Sequence, residues 1–202
     1  MFRIINIGTL SQCKFWGETE RMREDISATC TLVEVGGKRI IVDPSPRRAD
    51  LARLLFNRAG IGPEAIDIVY ATHWHGDHLF GIRLFKDAVW TMAEAGLAEW
   101  SEKAPGYRHL HERFVPAEGA LPDGVVIYPA PGHTPTLAAL MVPTRWGDLI
   151  VAGDAVMNRE YFAAEEGFRN SVDFEAAAET IRRIKAEAAL VIPGHDNLII
   201  NS

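Results

Sequence analysis

Residues 72–78 read Thr-His-Trp-His-Gly-Asp-His, so His73, His75, Asp77 and His78 fall within six consecutive positions. Imidazole and carboxylate are both ligands for divalent zinc, and a cation is what makes such crowding stable. Three imidazoles would repel one another if protonated and would waste hydrogen-bonding capacity if buried neutral. The spacing excludes a helix. At ~100° per residue His73 and His75 would diverge by about 200°, whereas in an extended segment residues i and i+2 share a face. The cluster therefore belongs on a loop, where a bound ion could activate water or polarise a carbonyl or phosphoryl oxygen.

The remaining histidines sharpen this reading. Seven occur in the chain, at 73, 75, 78, 109, 111, 133 and 195. His133 lies in Pro131-Gly132-His133-Thr134-Pro135 and His195 in Pro193-Gly194-His195-Asp196, each behind a hydrophobic run, Val125–Tyr128 or Leu190–Ile192. Leu149-Ile150-Val151-Ala152 reads as a buried strand, and it runs through Gly153 into the carboxylate of Asp154. His109 and His111 repeat the His-x-His spacing with no carboxylate motif nearby. A lone His-x-His is more often a surface pair than a metal site, so these two are read as solvent-exposed.

With these residues in hand, the chain resembles the metallo-β-lactamase-fold hydrolase superfamily over nearly its whole length. The series His73-x-His75-x-Asp77-His78, His133, Asp154, His195 is similar to that family's complete two-metal ligand set, and Asp43 in Val42-Asp43-Pro44-Ser45 to its first, mostly structural motif. The resemblance implies that His73, His75 and His133 hold one metal, that Asp77, His78 and His195 hold the second, and that Asp154 bridges them. It further implies an α/β fold, a four-layer αββα sandwich. Three terminal ligands per ion plus a bridge leave room for a shared water, whose pKa two ions would lower from ~15.7 toward ~7. The expected reaction is hydrolysis, a metal-bridged hydroxide attacking an ester, lactone or thioester carbonyl. Asp77 and Asp154 take the catalytic roles there, offsetting part of the metal charge, orienting the hydroxide and relaying its proton. Zn2+, two per chain, is the expected cofactor, but ligand softness does not separate zinc from Fe or Mn.

The C-terminal half, from Asp154-Ala155-Val156-Met157 to His195, resembles acyl-homoserine lactonases. Those carry a Tyr three residues after the bridging Asp, where this chain has Met157; Tyr161 is the nearby alternative, although a core or surface tyrosine is the simpler reading of it. Other branches fit less well. Hydroxyacylglutathione hydrolases add a helical domain after the last ligand, and larger nucleases insert one between the positions of Asp154 and His195, here 41 apart. True β-lactamases generally lack the bridging Asp. A phosphodiesterase or nuclease of the same fold stands second, because short animal metallo-β-lactamase-domain proteins share the compact layout. An iron-dependent oxidoreductase such as a persulfide dioxygenase stands third, and the intact ligand set disfavours a non-catalytic binding module.

Composition narrows the field further. The chain has 202 residues, 48% of them hydrophobic, enough for a sizeable core and expected to form one domain over 1–202. A net charge of −6 with no Lys/Arg run argues against general nucleic-acid binding and leaves a small-molecule substrate as the expected partner. Leu10-Ser11-Gln12-Cys13 has too short an apolar lead for a lipoprotein box, and no run approaches membrane-spanning length, so a cytoplasmic protein is expected. Cys13 and Cys30 are read as free thiols without a catalytic role, and no Gly-x-Ser-x-Gly elbow occurs. Homodimers are common in the family, so a homodimer stands beside a monomer.

The elements that must position these residues alternate strand and helix after a β-rich start. Strands are expected at Phe2–Ile7, Thr29–Val35, Arg39–Val42, Ile66–Thr72, from Val89-Trp90, and at Val125–Ala130, Leu137–Val142, Leu149–Ala152 and Leu190–Ile192. Gly36-Gly37 offers a hairpin turn. Helices are expected over Arg47–Ala59, stopped by Gly60, over His78–Phe85, and over Asp173–Ala188 with Asp173 as N-cap. Every proposed ligand follows a strand end, where an α/β framework gathers its chemistry. Three irregular stretches are candidate pocket walls: Cys13–Ala28 with Phe15 and Trp16, Trp100–Phe114 with Tyr107, His109 and His111, and Met157–Phe168. Their aromatics are equally loop anchors or substrate contacts. Trp74 is expected beside the metals, and Glu18–Asp25 is most simply a solvated charged face.

Overall fold

The computed structural model describes residues 1–104, 106 and 108–201, so Tyr107 lies outside the described residues. One sheet carries β1 (Phe2–Asn6), β2 (Cys30–Val35), β3 (Lys38–Val42), β4 (Ile68–Tyr70), β5 (Val89–Met92) and β6 (Phe114–Pro116), side by side in that order. A second sheet runs β11 (Ile199–Ile200), β10 (Leu190–Pro193), β9 (Gly147–Gly153), β8 (Ala138–Thr144), β7 (Val126–Pro129). The first three strands form an antiparallel meander, turned at Gly36 and Gly37, both in left-handed backbone conformations that glycine adopts without steric cost. From β3 to β6 pairing is parallel, as is that of β9 with β10.

Strand periodicity decides the layers, because neighbouring side chains on a strand point to opposite faces. On β3 and β4, Ile40, Val42, Ile68 and Tyr70 turn inward and meet Leu149, Val151, Leu190 and Ile192 of the second sheet. Ile41 and Val69 turn outward onto α1 (Arg48–Ala59), where they pack with Leu51 and Leu55. On β9 and β10, Ile150, Ala152 and Val191 face Ile181 and Ile184 of α5 (Phe174–Glu187). Two stacked sheets with helices outside both give the αββα order that the sequence led one to expect.

The outer helices follow their sequences. On α5 the buried Ala177, Thr180, Ile181 and Ile184 repeat at three and four residues, and the Asp173 carboxylate caps the helix by accepting from the Ala176 N–H at 2.9 Å. α1 stops at Gly60, whose left-handed conformation lets its N–H reach the Phe56 carbonyl. Further helices are α2 (Glu94–Lys103), α3 (Arg108–His111) and α4 (Arg159–Ala164).

Three expectations need correction. His78–Phe85 is not a helix but two 3-10 turns, Gly76–His78 and Ile82–Leu84, interrupted at Gly81. A Cβ at Gly81 would lie 2.6 Å from the Pro46 carbonyl and 2.5 Å from Leu51, so the chain presses against the Pro44–Pro46 loop and cannot wind on. Trp100 closes a buried face of α2 and Met157–Phe168 contains α4, so neither stretch is wholly irregular. Glu18–Asp25 is more than a solvated face, because Glu18 takes a two-pronged bond from Arg23 and accepts the Cys13 N–H.

Candidate metal centre

The site lies where the two sheets end side by side. β4 delivers His73, His75, Asp77 and His78; the exit of β7 delivers His133; β9 delivers Asp154; β10 delivers His195. The local chain leaves no slack at these exits. A Cβ on Gly132 would lie 2.4 Å from the Ala177 Cα, and one on Gly153 would lie 2.4 Å from the Thr72 hydroxyl. Glycine alone lets the ligand loops approach their neighbours this closely.

The structure brings all seven expected donors together. Ligand atoms of His73, His75, His133 and Asp154 lie within 4.8 Å of one another, as do those of Asp77, His78 and His195. Asp154 stands between the groups: Oδ2 is 3.2 Å from His133 Nε2 and 3.9 Å from His73 Nε2, while Oδ1 is 3.1 Å from His78 Nε2 and 3.2 Å from His195 Nε2. Asp77 Oδ2 reaches His195 Nε2 at 3.5 Å.

Outer contacts fix which nitrogen each ring turns inward. Asp43 is buried, with φ of 48°, a left-handed conformation costly for a residue with a Cβ. Its carboxylate accepts from the Thr72 N–H (2.8 Å), the Thr72 hydroxyl (2.9 Å) and His78 Nδ1 (2.9 Å). With its proton on Asp43, the Thr72 oxygen accepts from His73 Nδ1 at 3.1 Å. His195 Nδ1 faces the carbonyls of Thr9 (3.1 Å) and Ser27 (3.0 Å). All three rings therefore aim Nε2 into the site, the outer-shell orientation that metal-binding histidines use. His133 has no such Nδ1 partner and is aimed by its loop, whose Gly132 N–H binds the Thr134 carbonyl.

The donor set fits divalent ions. His73 Nε2, His78 Nε2 and Asp154 Oδ1 are buried without a partner of hydrogen-bonding geometry, so they converge on a common space rather than on each other. His75 Nδ1 and His133 Nε2 face one another at 3.0 Å. A tetrahedral ion with bonds of ~2.0–2.1 Å would separate two nitrogens by about 3.3 Å.

The electrostatics divide the rings into two groups. Burial holds His73 well below the usual imidazole range, lowers His75, and brings His133 to about 4, leaving neutral rings with lone pairs to donate. Burial also penalises charge on His78 and His195, but the carboxylates of Asp154 and, for His78, Asp43 outweigh it and raise both. Burial would raise Asp154, yet His78, His195 and His133 hold it well below the ordinary carboxylate range.

A cavity of about 570 Å³ opens from this centre. His75 and Asp77 form one wall and Trp74, Phe80, Trp100 and Leu110 another. Trp74 stands edge-on to His75 with ring centres 4.7 Å apart. Among the other candidate walls, Phe15 and Trp16 are exposed and lie outside this cavity, as does Met157–Phe168. Tyr161 is buried in a cluster with Leu10, Cys13, Met157 and Phe168, a core position. His109 is exposed, whereas His111 is half-buried and bonds the Leu97 carbonyl at 3.0 Å. Cys13 and Cys30 are free and buried.

The sequence reading missed Thr72, the carbonyls of Thr9 and Ser27, and the cavity residues Leu79, Phe80, Ile82 and Arg83. Backbone acceptors leave no signal in residue type. Thr72 could have been found, since a hydroxyl next to the first ligand is suited to hold its ring.

Stacked sheets clad in helices, with seven His and Asp donors at their ends in two groups that could each hold a metal ion, define an αββα protein with a candidate metal centre. The family model of the metallo-beta-lactamase superfamily matches residues 23–195, and the chain belongs to that superfamily. It is 29% identical over 152 residues to an N-acyl homoserine lactonase from a Bacillus species, covering 70% of this chain and 60% of that protein. To the human metallo-beta-lactamase domain-containing protein 1 it is 30% identical over 185 residues, covering 89% of this chain and 62% of the relative. The chain thus spans about three fifths of the length of these curated relatives. A metallo-beta-lactamase structure from Thermotoga maritima aligns with a TM-score of 0.71 at 21% identity, covering 98% of both chains. A dizinc quorum-quenching lactonase aligns at 0.67 and 17% identity, covering 83% of this chain and 72% of that one. At such identities these structures speak to the fold alone. Among the described residues no helix is long and apolar enough to cross a membrane.

Proposed function

We propose that this chain is a metal-dependent hydrolase that holds two divalent ions, zinc in first place, and cleaves an ester, lactone or thioester carbonyl of a small molecule. The observation that carries the reading is Asp154, whose two oxygens face two separate groups of imidazole nitrogens. His73, His75 and His133 would hold one ion, Asp77, His78 and His195 the other, and Asp154 both. Ions held there supply water of lowered pKa and a Lewis acid for the carbonyl oxygen.

The protein's own groups do the rest. Asp43, through His78 and Thr72, keeps the inner nitrogens aimed, so no reorganisation is needed when substrate arrives. Asp77, partly open to the cavity, is the carboxylate placed to orient an attacking water and pass its proton to the leaving group. Trp74, Phe80 and Trp100 give the cavity an apolar wall beside His75 and Asp77. The same reading takes residues 1–202 as one domain, supported by a central core drawn from both sheets. Two free, buried thiols accord with a cytoplasmic location.

The lactone branch draws support from the Bacillus lactonase relative and from the dizinc lactonase that shares the fold. The test is a screen of zinc-loaded protein against p-nitrophenyl esters, lactones, thioesters and bis-p-nitrophenyl phosphate. Carbonyl-ester turnover is expected. Turnover of the phosphodiester alone would replace this reading with a phosphodiesterase.

A further inference from the structure

The cavity beside the metal centre has one feature that hydrolysis of a neutral carbonyl does not use. Arg83, from the Ile82–Leu84 turn, lines the same cavity as His75 and Asp77. No carboxylate stands within ion-pair distance of it among the described residues. Its partner is His109 Nε2 at 2.7 Å. A guanidinium has no lone pair to offer, so the imidazole nitrogen accepts. The contact orients Arg83 without cancelling its charge. Arg108, next in the chain to His109, pairs with Glu112.

Among the described residues the rest of the wall is apolar, from Trp74, Phe80, Trp100 and Leu110, with Asn170 the other polar side chain besides the metal donors. The indole N–H groups of Trp74 and Trp100 are buried without acceptors. A volume of about 570 Å³ lies within the range of roughly 300–1,000 Å³ that holds a whole small molecule. We infer that the substrate has an apolar body filling this cavity and an anionic group, a carboxylate, that pairs with Arg83 at its rim, remote from the scissile carbonyl. The inference rests on the hydrolase reading for the position of the scissile bond. It makes Arg83 a specificity-determining residue, since a fork of N–H donors binds a carboxylate through two parallel bonds.

The experiment compares p-nitrophenyl hexanoate with mono-p-nitrophenyl adipate, which has the same chain length but ends in a carboxylate, on zinc-loaded wild type, Arg83→Met and Arg83→Lys. Wild type is expected to favour the adipate in kcat/KM by roughly 3- to 10-fold at low salt, the range for a partly solvated charge pair. Arg83→Met should bring the ratio to about one, and Arg83→Lys should keep part of it. Near 1 M salt, where the screening length is ~3 Å, the wild-type preference should shrink. A wild-type ratio at or below one, or the same ratio in Arg83→Met with matched zinc content and circular dichroism, overturns the inference. If neither ester turns over, the hydrolase reading fails and tryptophan quenching by 4-phenylbutyrate decides the Arg83 contact separately. Binding should be weaker in Arg83→Met by the same factor; equal binding rejects the contact.

Discussion

Gly194 lies directly against the carboxylate of Asp154, so that a Cβ on the glycine would sit 2.1 Å from Oδ1. The strand exit that supplies His195 thereby also limits where Asp154 can stand. Gly194→Ala is expected to displace the carboxylate and lower zinc affinity by at least about 10-fold, the scale seen when a ligand's support is disturbed. Far-ultraviolet circular dichroism should hardly change. Equal zinc affinity, measured by competition with a chromogenic chelator, would show that Asp154 is not held by this contact.

Asp43 accepts three hydrogen bonds and touches no ligand atom of the inner site. Asp43→Asn removes the charge and sets an amide N–H₂ among donors, so His78 and Thr72 lose their fixed aim. Zinc affinity should fall by about 10- to 100-fold. Imidazole resonances in NMR should report altered His78 and His73 rings, and unchanged resonances would contradict the assignment of Asp43 as their anchor.

The cap of α5 should separate stability from chemistry. Asp173→Ala removes the acceptor of the Ala176 N–H and is expected to cost about 0.5–2 kcal/mol in urea unfolding. Zinc content should stay the same, because the helix start meets the His133 loop through contacts that the substitution leaves in place: the Asp173 N–H donates to the Gly132 carbonyl at 3.0 Å and the Thr180 hydroxyl to the Pro131 carbonyl at 2.8 Å. Loss of zinc in a folded Asp173→Ala protein would mean that the helix end and the metal centre are coupled.

Cys13 and Cys30 are fully buried, and burial pushes the Cys30 thiol up, away from the reactive thiolate. Ellman's reagent should find no fast-reacting thiol in native protein and two after denaturation. A fast thiol in the native state would contradict the packing around Leu10 and Tyr161.

The sequence carried most of the site and most of the sheets, for identifiable reasons. Continuous apolar runs made β9 and β10 readable as buried strands, the Gly36-Gly37 turn marked β3, and the cap and apolar repeat of α5 marked its start and its buried side. Ligand residues were legible because their side-chain chemistry is unusual and each follows a strand. The 3-10 turns around Gly81 were not, since they arise from contact with Pro44 and Pro46, some 35 residues earlier in the chain. α4 was hidden because Tyr161 and Phe162 look like loop aromatics until Cys13 and Phe168 are known to pack with the first, and Ile181 and Ile184 of α5 to share a core with the second. α2 carried its own signal: Ala93, Gly96, Leu97 and Trp100 fall at helical spacing and are all buried.

The central claim is a pair of ions held on either side of Asp154, and metal counting tests it most directly. Protein stripped with a chelator, reloaded with zinc and passed through a desalting column should retain two ions per chain by elemental analysis. Asp154→Ala, folded by circular dichroism, should retain fewer than two. Wild-type protein that emerges with no stoichiometric zinc, iron or manganese would contradict the account.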